Sequence, residues 1–145
     1  LLTIQLIYGA FMAGLHAALA SHTWPDINGS YWPDGMFDLS NFWDDITHNL
    51  ITVQFIHRGL AYLICIPVVI WTFRAAKLPA NSVLYSVKYL PLIFLIIQIV
   101  LGILTILNSR VEIPILFGIL HQFVGMLFLL SLVFTLYLSN GKSKV

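Results

Sequence analysis

The chain has 145 residues, of which 59% are hydrophobic and only 9% are charged, and its formal net charge is +1. Soluble domains carry about 25% charged residues, so this composition excludes an ordinary soluble domain. The sequence contains no basic run that could hold a phosphate backbone, which excludes nucleic acid as a partner.

Four apolar stretches are long enough to cross a lipid bilayer as helices, each of which needs about 20 residues. In chain order they cover residues 1–20, 49–73, 89–107 and 113–138. We therefore predict an all-α fold, an integral membrane four-helix bundle that forms a single domain over residues 1–145, with lipid as its surroundings. Because the chain does not begin with Met and enters apolar sequence at once, we expect its true start to be missing.

The segment 21–48 is the one long connection between these spans. It is polar and contains five aspartates but neither Lys nor Arg. Turn residues occur at Asn28-Gly29 and at Gly35. Ser40 is predicted to cap a short interfacial helix that runs to Asn49.

Lysine and arginine indicate how the spans are oriented. The connection after the second span carries Arg74, Lys77 and Lys88, and the C-terminal tail carries two further lysines, Lys142 and Lys144. Cytoplasmic loops are enriched in these residues, so both termini are predicted inside and loop 21–48 outside. The second and fourth spans then run in the same direction, from outside to inside.

Two histidines, His57 and His121, occupy matching positions in these parallel spans. Each lies about eight residues beyond the start of its span, or about 12 Å below the outer surface at 1.5 Å per residue. A buried imidazole needs a partner, and two facing imidazoles are common axial ligands of a buried haem iron. Gly118 and Gly125 flank His121 on its helical face and leave room for a flat cofactor, although such residues also favour close helix packing.

Other interpretations of these side chains stay open at this stage. Each histidine could simply hydrogen-bond a neighbouring carbonyl. Zinc or copper would need further ligands, and His16 could supply one. His16 could instead hydrogen-bond a haem propionate or lie at the interface. Arg58 could reach the outer surface or pair with a propionate, and Arg110, in the outer turn, is a second candidate for that pairing.

A faint internal repeat relates the two halves of the chain. Gln5-Leu6-Ile7-Tyr8-Gly9 opens the first span, and Gln98-Ile99-Val100-Leu101-Gly102 lies within the third. Each is followed by a span with a histidine in its outer half. The repeat predicts two copies of a helix hairpin, with the metal site between their second helices.

Several short motifs resemble the carboxy-terminal half of the haem A synthase family, and the likeness runs through all four spans. The motifs are Gly9-Ala10-Phe11-Met12-Ala13-Gly14-Leu15-His16-Ala17, Thr23-Trp24-Pro25, Val53-Gln54-Phe55-Ile56-His57-Arg58, Ile113-Pro114 and His121-Gln122. The first three, in this order, are fairly specific together.

The resemblance implies a role in electron transfer. Members of that family have eight spans in two similar halves, and the carboxy-terminal histidine pair, here His57 and His121, holds the iron of a haem b. The other half is thought to bind haem O and its oxidised product, haem A. There a glutamate precedes the first histidine by three residues, whereas this chain has Gln54. The resemblance thus implies part of an oxidoreductase whose catalytic carboxylate is not in this chain.

The same resemblance implies partners and a location. An N-terminal four-helix half, or a second copy of this chain, would complete the eight spans. The expected location is the bacterial cytoplasmic membrane or the mitochondrial inner membrane. Two alternatives remain: another four-helix membrane b-type cytochrome, such as an electron-transfer anchor subunit, and a helical membrane subunit without a cofactor.

Overall fold

In the computed structural model, residues 1–140 are described, and they confirm the predicted all-α class. The α-helices are α1 (Leu2–Gly14), α2 (Phe42–His48), α3 (Leu50–Ala75), α4 (Val83–Val87), α5 (Leu90–Leu107) and α6 (Ile115–Asn140). A 3-10 turn, Ala17–Ala20, follows α1. The two tail lysines used to orient the chain, Lys142 and Lys144, lie outside the described residues.

Within residues 1–140, three helical segments are long and apolar enough to cross a membrane: α3, the segment Val83–Leu107 that contains α4 and α5, and α6. With 26 residues each, α3 and α6 measure about 39 Å, which exceeds a hydrocarbon core of about 30 Å. Helix α1 is apolar but has only 13 residues, so it measures about 20 Å. The expectation of one continuous helix over residues 1–20 is therefore wrong.

Helix α1 ends early because the backbone turns at His16. This residue adopts a left-handed conformation, with φ of 54°, which an α-helix cannot continue. The 3-10 turn that follows begins with Ala17 and Ala18, which are 0% and 5% exposed. Their small side chains let the turn pack directly against α3.

Asparagine side chains cap the N-terminal ends of α2 and α3. The Asn49 side chain accepts hydrogen bonds from the backbone N–H groups of Ile51 and Thr52, at 3.0 and 3.1 Å, and so caps α3. The cap of α2 is Asn41, which accepts from the backbone of Asp44 at 3.0 Å. The predicted cap Ser40 lies one residue outside, so the short helix is present but begins later than expected.

The outer loop is fastened to the start of α3. The Asn49 amide donates to the Gly35 carbonyl at 2.8 Å, and the buried carboxylate of Asp45 accepts from the backbone of Leu39 at 3.1 Å. The turns predicted at Asn28-Gly29 and Gly35 are confirmed, since all three residues have positive φ. The loop is therefore a folded cover over one end of the helices.

The long helices associate in two pairs. Helix α1 packs mainly on α3, and α5 packs mainly on α6, with fewer contacts between α3 and α5. A buried apolar cluster joins α3, α5 and α6 and consists of Ile64, Val68, Leu95 and Phe128. Many apolar side chains face outward from the long helices, Phe73 at 70% and Leu116 at 67% exposed among them, as expected for residues in lipid. The two pairs correspond to the two halves of the repeat.

Candidate functional site

The imidazoles of His57 and His121 lie side by side between the two helix pairs. Their ring centroids are 6.4 Å apart, and the ring planes are inclined at 68°. Both residues belong to the N-terminal parts of their helices, α3 and α6. The sequence predicts that the two histidines lie at the same depth in their spans. In the structure their rings are neighbours.

Gln98, on α5, contacts both nitrogens of the His121 ring. The Gln98 side-chain amide lies 3.2 Å from Nε2, and the Gln98 backbone carbonyl lies 3.0 Å from Nδ1. A carbonyl oxygen only accepts, so Nδ1 must carry the proton and donate it. Nε2 is then unprotonated and accepts a hydrogen bond from the amide. The free electron pair that a metal ion would need is therefore on Nε2.

Gln5, on α1, holds the His57 ring in a related way. The Gln5 amide nitrogen lies 3.3 Å from His57 Nε2. An amide nitrogen only donates, so this contact matches the tautomer of His57 that carries its proton on Nδ1 and leaves Nε2 unprotonated. That Nδ1 is buried, and it has no hydrogen-bond partner among the described residues.

A glycine stands four residues after each of these glutamines, and each glycine faces an imidazole. A Cβ added at Gly102 would lie 2.9 Å from His121 Cε1, whereas one added at Gly9 would lie 3.6 Å from His57 Cε1. Gly102 thus lets the His121 ring rest on the backbone of α5. The two Gln-x-x-x-Gly segments of the repeat therefore face the two imidazoles from corresponding positions in the two helix pairs, with the closer approach at Gly102.

The rings open onto an apolar cavity of about 240 Å³. Its polar lining includes Gln5, His57, Arg58, Gln98 and His121; the apolar lining includes Leu6, Met12, Leu95, Ile99, Ile103 and Phe128. Pockets for ligands of drug size usually measure about 300–1,000 Å³. A large flat ligand would therefore have to displace the Gln5 and Gln98 side chains, which occupy the imidazole nitrogens.

The guanidinium of Arg58 lies beneath the outer loop instead of reaching solvent. It is 8% exposed, and its Nη1 donates to the Asp26 carbonyl at 2.7 Å. Its Nε and Nη2 have no hydrogen-bond partner within residues 1–140. A buried guanidinium with two free donors in a cavity wall is suited to bind a carboxylate.

Gln54 is fully buried and serves a different purpose. Its amide donates to the carbonyls of Ala17 and Ser21, at 3.3 and 3.0 Å. These bonds tie the 3-10 turn and the beginning of the outer loop to α3. The amide therefore holds the fold together at the position where the resemblance implies a glutamate in the other half.

The remaining predicted candidates lie elsewhere. His16 and Arg110 are exposed and stand outside the cavity wall that the described residues form. His22 and His48 are exposed in or beside the outer loop. Over residues 1–140, no group of three or more His, Cys, Asp or Glu side chains could hold a metal ion, which weighs against the zinc alternative.

The two histidines are better suited to hold a metal ion between two axial imidazoles than to bond only to neighbouring protein groups. Both Nε2 atoms offer an electron pair, and the cavity beside them is apolar. The sequence identified the histidines, but Gln5, Gln98 and Gly102 entered it only as members of the repeat and were given no role at the rings. The repeat was the signal that could have connected all three to the rings.

Known proteins resemble this chain over most of its length. A family model described as cytochrome oxidase assembly protein matches residues 1–133. "Heme A synthase" of Wolbachia pipientis wMel is 44% identical over 139 residues, which cover 95% of this chain and 37% of that protein. "Heme A synthase" of Bartonella tribocorum is 37% identical over 129 residues, which cover 89% and 35%. The chain spans about a third of the length of these curated relatives. No solved structure matches it.

Proposed function

The chain belongs to the family of cytochrome oxidase assembly proteins, and from this premise we propose that it is the haem b-binding half of a haem A synthase. It is a membrane protein, and the described part of the chain has three helical segments long enough to cross a bilayer. In the proposed role it supports the oxidation of haem O to haem A by electron transfer.

We propose His57 and His121 as the axial ligands. The observation that carries this is the 6.4 Å separation of two rings, each of which has a glutamine amide nitrogen beside its Nε2. Two imidazoles that bind one metal ion at about 2 Å from opposite sides have their ring centres about 6 Å apart. When bound, a haem with two histidine ligands supplies one-electron transfer, because neither axial position is open to oxygen.

Arg58 is the proposed partner of a haem propionate. Its buried guanidinium has two donor atoms in the cavity wall, Nε and Nη2, without a partner among residues 1–140, and a charge-assisted bond there would be stronger than one to a neutral acceptor. We leave His16 and Arg110 out of the proposed site, because both are exposed and lie outside the cavity wall.

The proposed architecture is a four-helix bundle of α1, α3, α5 and α6 in a bacterial cytoplasmic membrane. Helix α1 is apolar and packs on α3, although it is shorter than the bilayer core. Loop 21–48, with five aspartates, would face outside, and the end that carries Arg74, Lys77 and Lys88 would face the cytoplasm.

The oxidation of the substrate itself is assigned to a partner. The buried Gln54 amide is engaged with two backbone carbonyls and offers no carboxylate. We propose that haem O and haem A bind a separate four-helix half, to which the haem b side passes electrons. A second copy of this chain would also complete eight spans, but it would carry the same Gln54 in place of the carboxylate.

The test of this function is the optical spectrum of the purified chain. The unaltered chain should show the sharp reduced α-band of a six-coordinate b haem, and replacing both His57 and His121 by Ala should abolish it. His48→Ala is the matched control, since His48 is exposed in the loop. A chain that folds normally but binds no haem would indicate the cofactor-free subunit instead.

A second experiment separates a synthase from another b-type cytochrome. The chain would be expressed with the N-terminal half of a relative in cells that lack haem A synthase, and haem A would be measured by chromatography. Production of haem A that depends on His121 supports the proposal. A haem b spectrum without any haem A favours a different electron-transfer subunit.

A further inference from the structure

We infer that Gln98 and Gly102 are positioning residues that make His121 the fixed axial ligand and leave His57 as the exchangeable one. The inference rests on the proposed function, since it concerns the same two imidazoles. Once His57 is removed or displaced, we expect small ligands such as carbon monoxide or free imidazole to bind the iron on that side.

The first observation is that only one ring has a partner for its protonated nitrogen. His121 Nδ1–H donates to the Gln98 backbone carbonyl at 3.0 Å, whereas His57 Nδ1 is buried without a partner among the described residues. A hydrogen bond of this kind fixes the ring orientation and makes the opposite nitrogen a better metal ligand. The His121 ring therefore keeps its orientation when the amide of Gln98 leaves Nε2.

The second observation is the unequal space at the two glycines. The 2.9 Å distance from a Cβ at Gly102 to His121 Cε1 is shorter than real Cβ contacts, and the same Cβ would lie 3.4 Å from His121 Nδ1. The corresponding 3.6 Å at Gly9 is ordinary van der Waals contact. Only Gly102 thus holds its imidazole tightly against a helix backbone.

The unequal support of the two rings predicts that the two histidine variants lose different amounts of bound haem. Loss of an outer-shell partner typically lowers metal affinity 10–100-fold, and a ligand that lacks such a partner contributes less. The His57→Ala chain should keep b haem near the unaltered stoichiometry, become five-coordinate and bind carbon monoxide. The His121→Ala chain should lose at least about 10-fold in haem content. Equal losses, or the reverse order, would overturn the inference while leaving the proposed function standing.

A matched pair of glycine variants tests the positioning residues. Gly102→Ala should lower haem content about 10-fold, because the new methyl group pushes the His121 ring off the Gln98 carbonyl. Gly9→Ala should stay within about twofold of the unaltered chain, since its methyl group fits without a shift. Similar effects of the two substitutions would contradict the assignment of Gly102.

A measurement without haem covers the case in which Gly102→Ala does not fold. In the haem-free, unaltered chain labelled with ¹⁵N-histidine, the Nδ1 proton of His121 should resonate downfield of that of His57, because only the former is hydrogen-bonded. Coincident resonances would overturn the inference. Absence of haem from the unaltered chain under all loading conditions would remove both this inference and the proposed function.

Discussion

The Gln54 amide donates a 3.0 Å hydrogen bond to the Ser21 carbonyl and so joins the N-terminal part of α3 to the outer loop. The same amide reaches the Ala17 carbonyl at 3.3 Å. Both acceptors are backbone oxygens, and the side chain is fully buried. An acceptor-only side chain would therefore face two other acceptors here.

Gln54→Glu is predicted to destabilise the chain instead of creating a catalytic carboxylate. An ionised Glu would lose both bonds, and a protonated one could donate only one of them. A buried polar group left unsatisfied costs about 1–3 kcal/mol, and a charged one more. Thermal unfolding in detergent measures the loss. Asn81→Asp, the same kind of change at an exposed position, should have little effect; equal destabilisation by both would contradict the role of Gln54.

Arg58→Gln is predicted to loosen the outer loop. The bond from the Arg58 guanidinium to the Asp26 carbonyl is charge-assisted and partly buried, and such bonds contribute about 1.5–3 kcal/mol. Its loss should lower the unfolding temperature and speed proteolysis within residues 21–48. Arg74→Gln, at an exposed site, is the control. Unchanged proteolysis of the loop in Arg58→Gln would show that other contacts hold this segment.

Asp26 is predicted to make the loop sensitive to acid. A side-chain hydrogen bond from Thr23, followed by the backbone N–H of Gly29 at 2.9 Å, lowers the pKa of this carboxyl below its ordinary value. A lowered folded-state pKa adds stability that is complete above the unfolded-state pKa, about 3.9, and is lost as the pH falls through the folded-state pKa. The advantage of the unaltered chain over Asp26→Asn should thus be constant at neutral pH and shrink below about pH 4.

The check for Asp26 is a series of thermal unfolding curves from neutral pH to about pH 3. Comparing the unaltered chain with Asp26→Asn separates this carboxyl from the other acids of the loop, because those titrate in both proteins. Parallel curves over the whole range would show that the charge on Asp26 does not stabilise the fold.

The sequence could place the histidines because the rise per residue of a helix is fixed, so equal spacing from two span starts implies equal depth. The repeat marked Gln5 and Gln98, but the sequence could not show that they contact the rings, since that depends on which helices touch. Nor could it foresee the end of α1, where His16 turns left-handed without a glycine to mark the position. Long apolar patterns determine the existence of helices, whereas the contacts of single polar side chains decide their ends and pairings.

Gly118 and Gly125, which appeared equivalent in the sequence, are predicted to respond differently to substitution by Ala. Glycine within a helix is about 0.5–1 kcal/mol less favourable than alanine, so Gly118→Ala should stabilise the haem-free chain. A Cβ at Gly118 would lie 4.0 Å from Ile113, whereas a Cβ at Gly125 would lie 3.2 Å from the Gln98 amide nitrogen. In Gly125→Ala that amide would have to shift away from His121 Nε2. The lost hydrogen bond would offset the stability gained by replacing glycine in the helix. Unfolding in detergent measures the difference, and equal stabilisation by both variants would mean that the Gln98 side chain does not occupy the space beside Gly125.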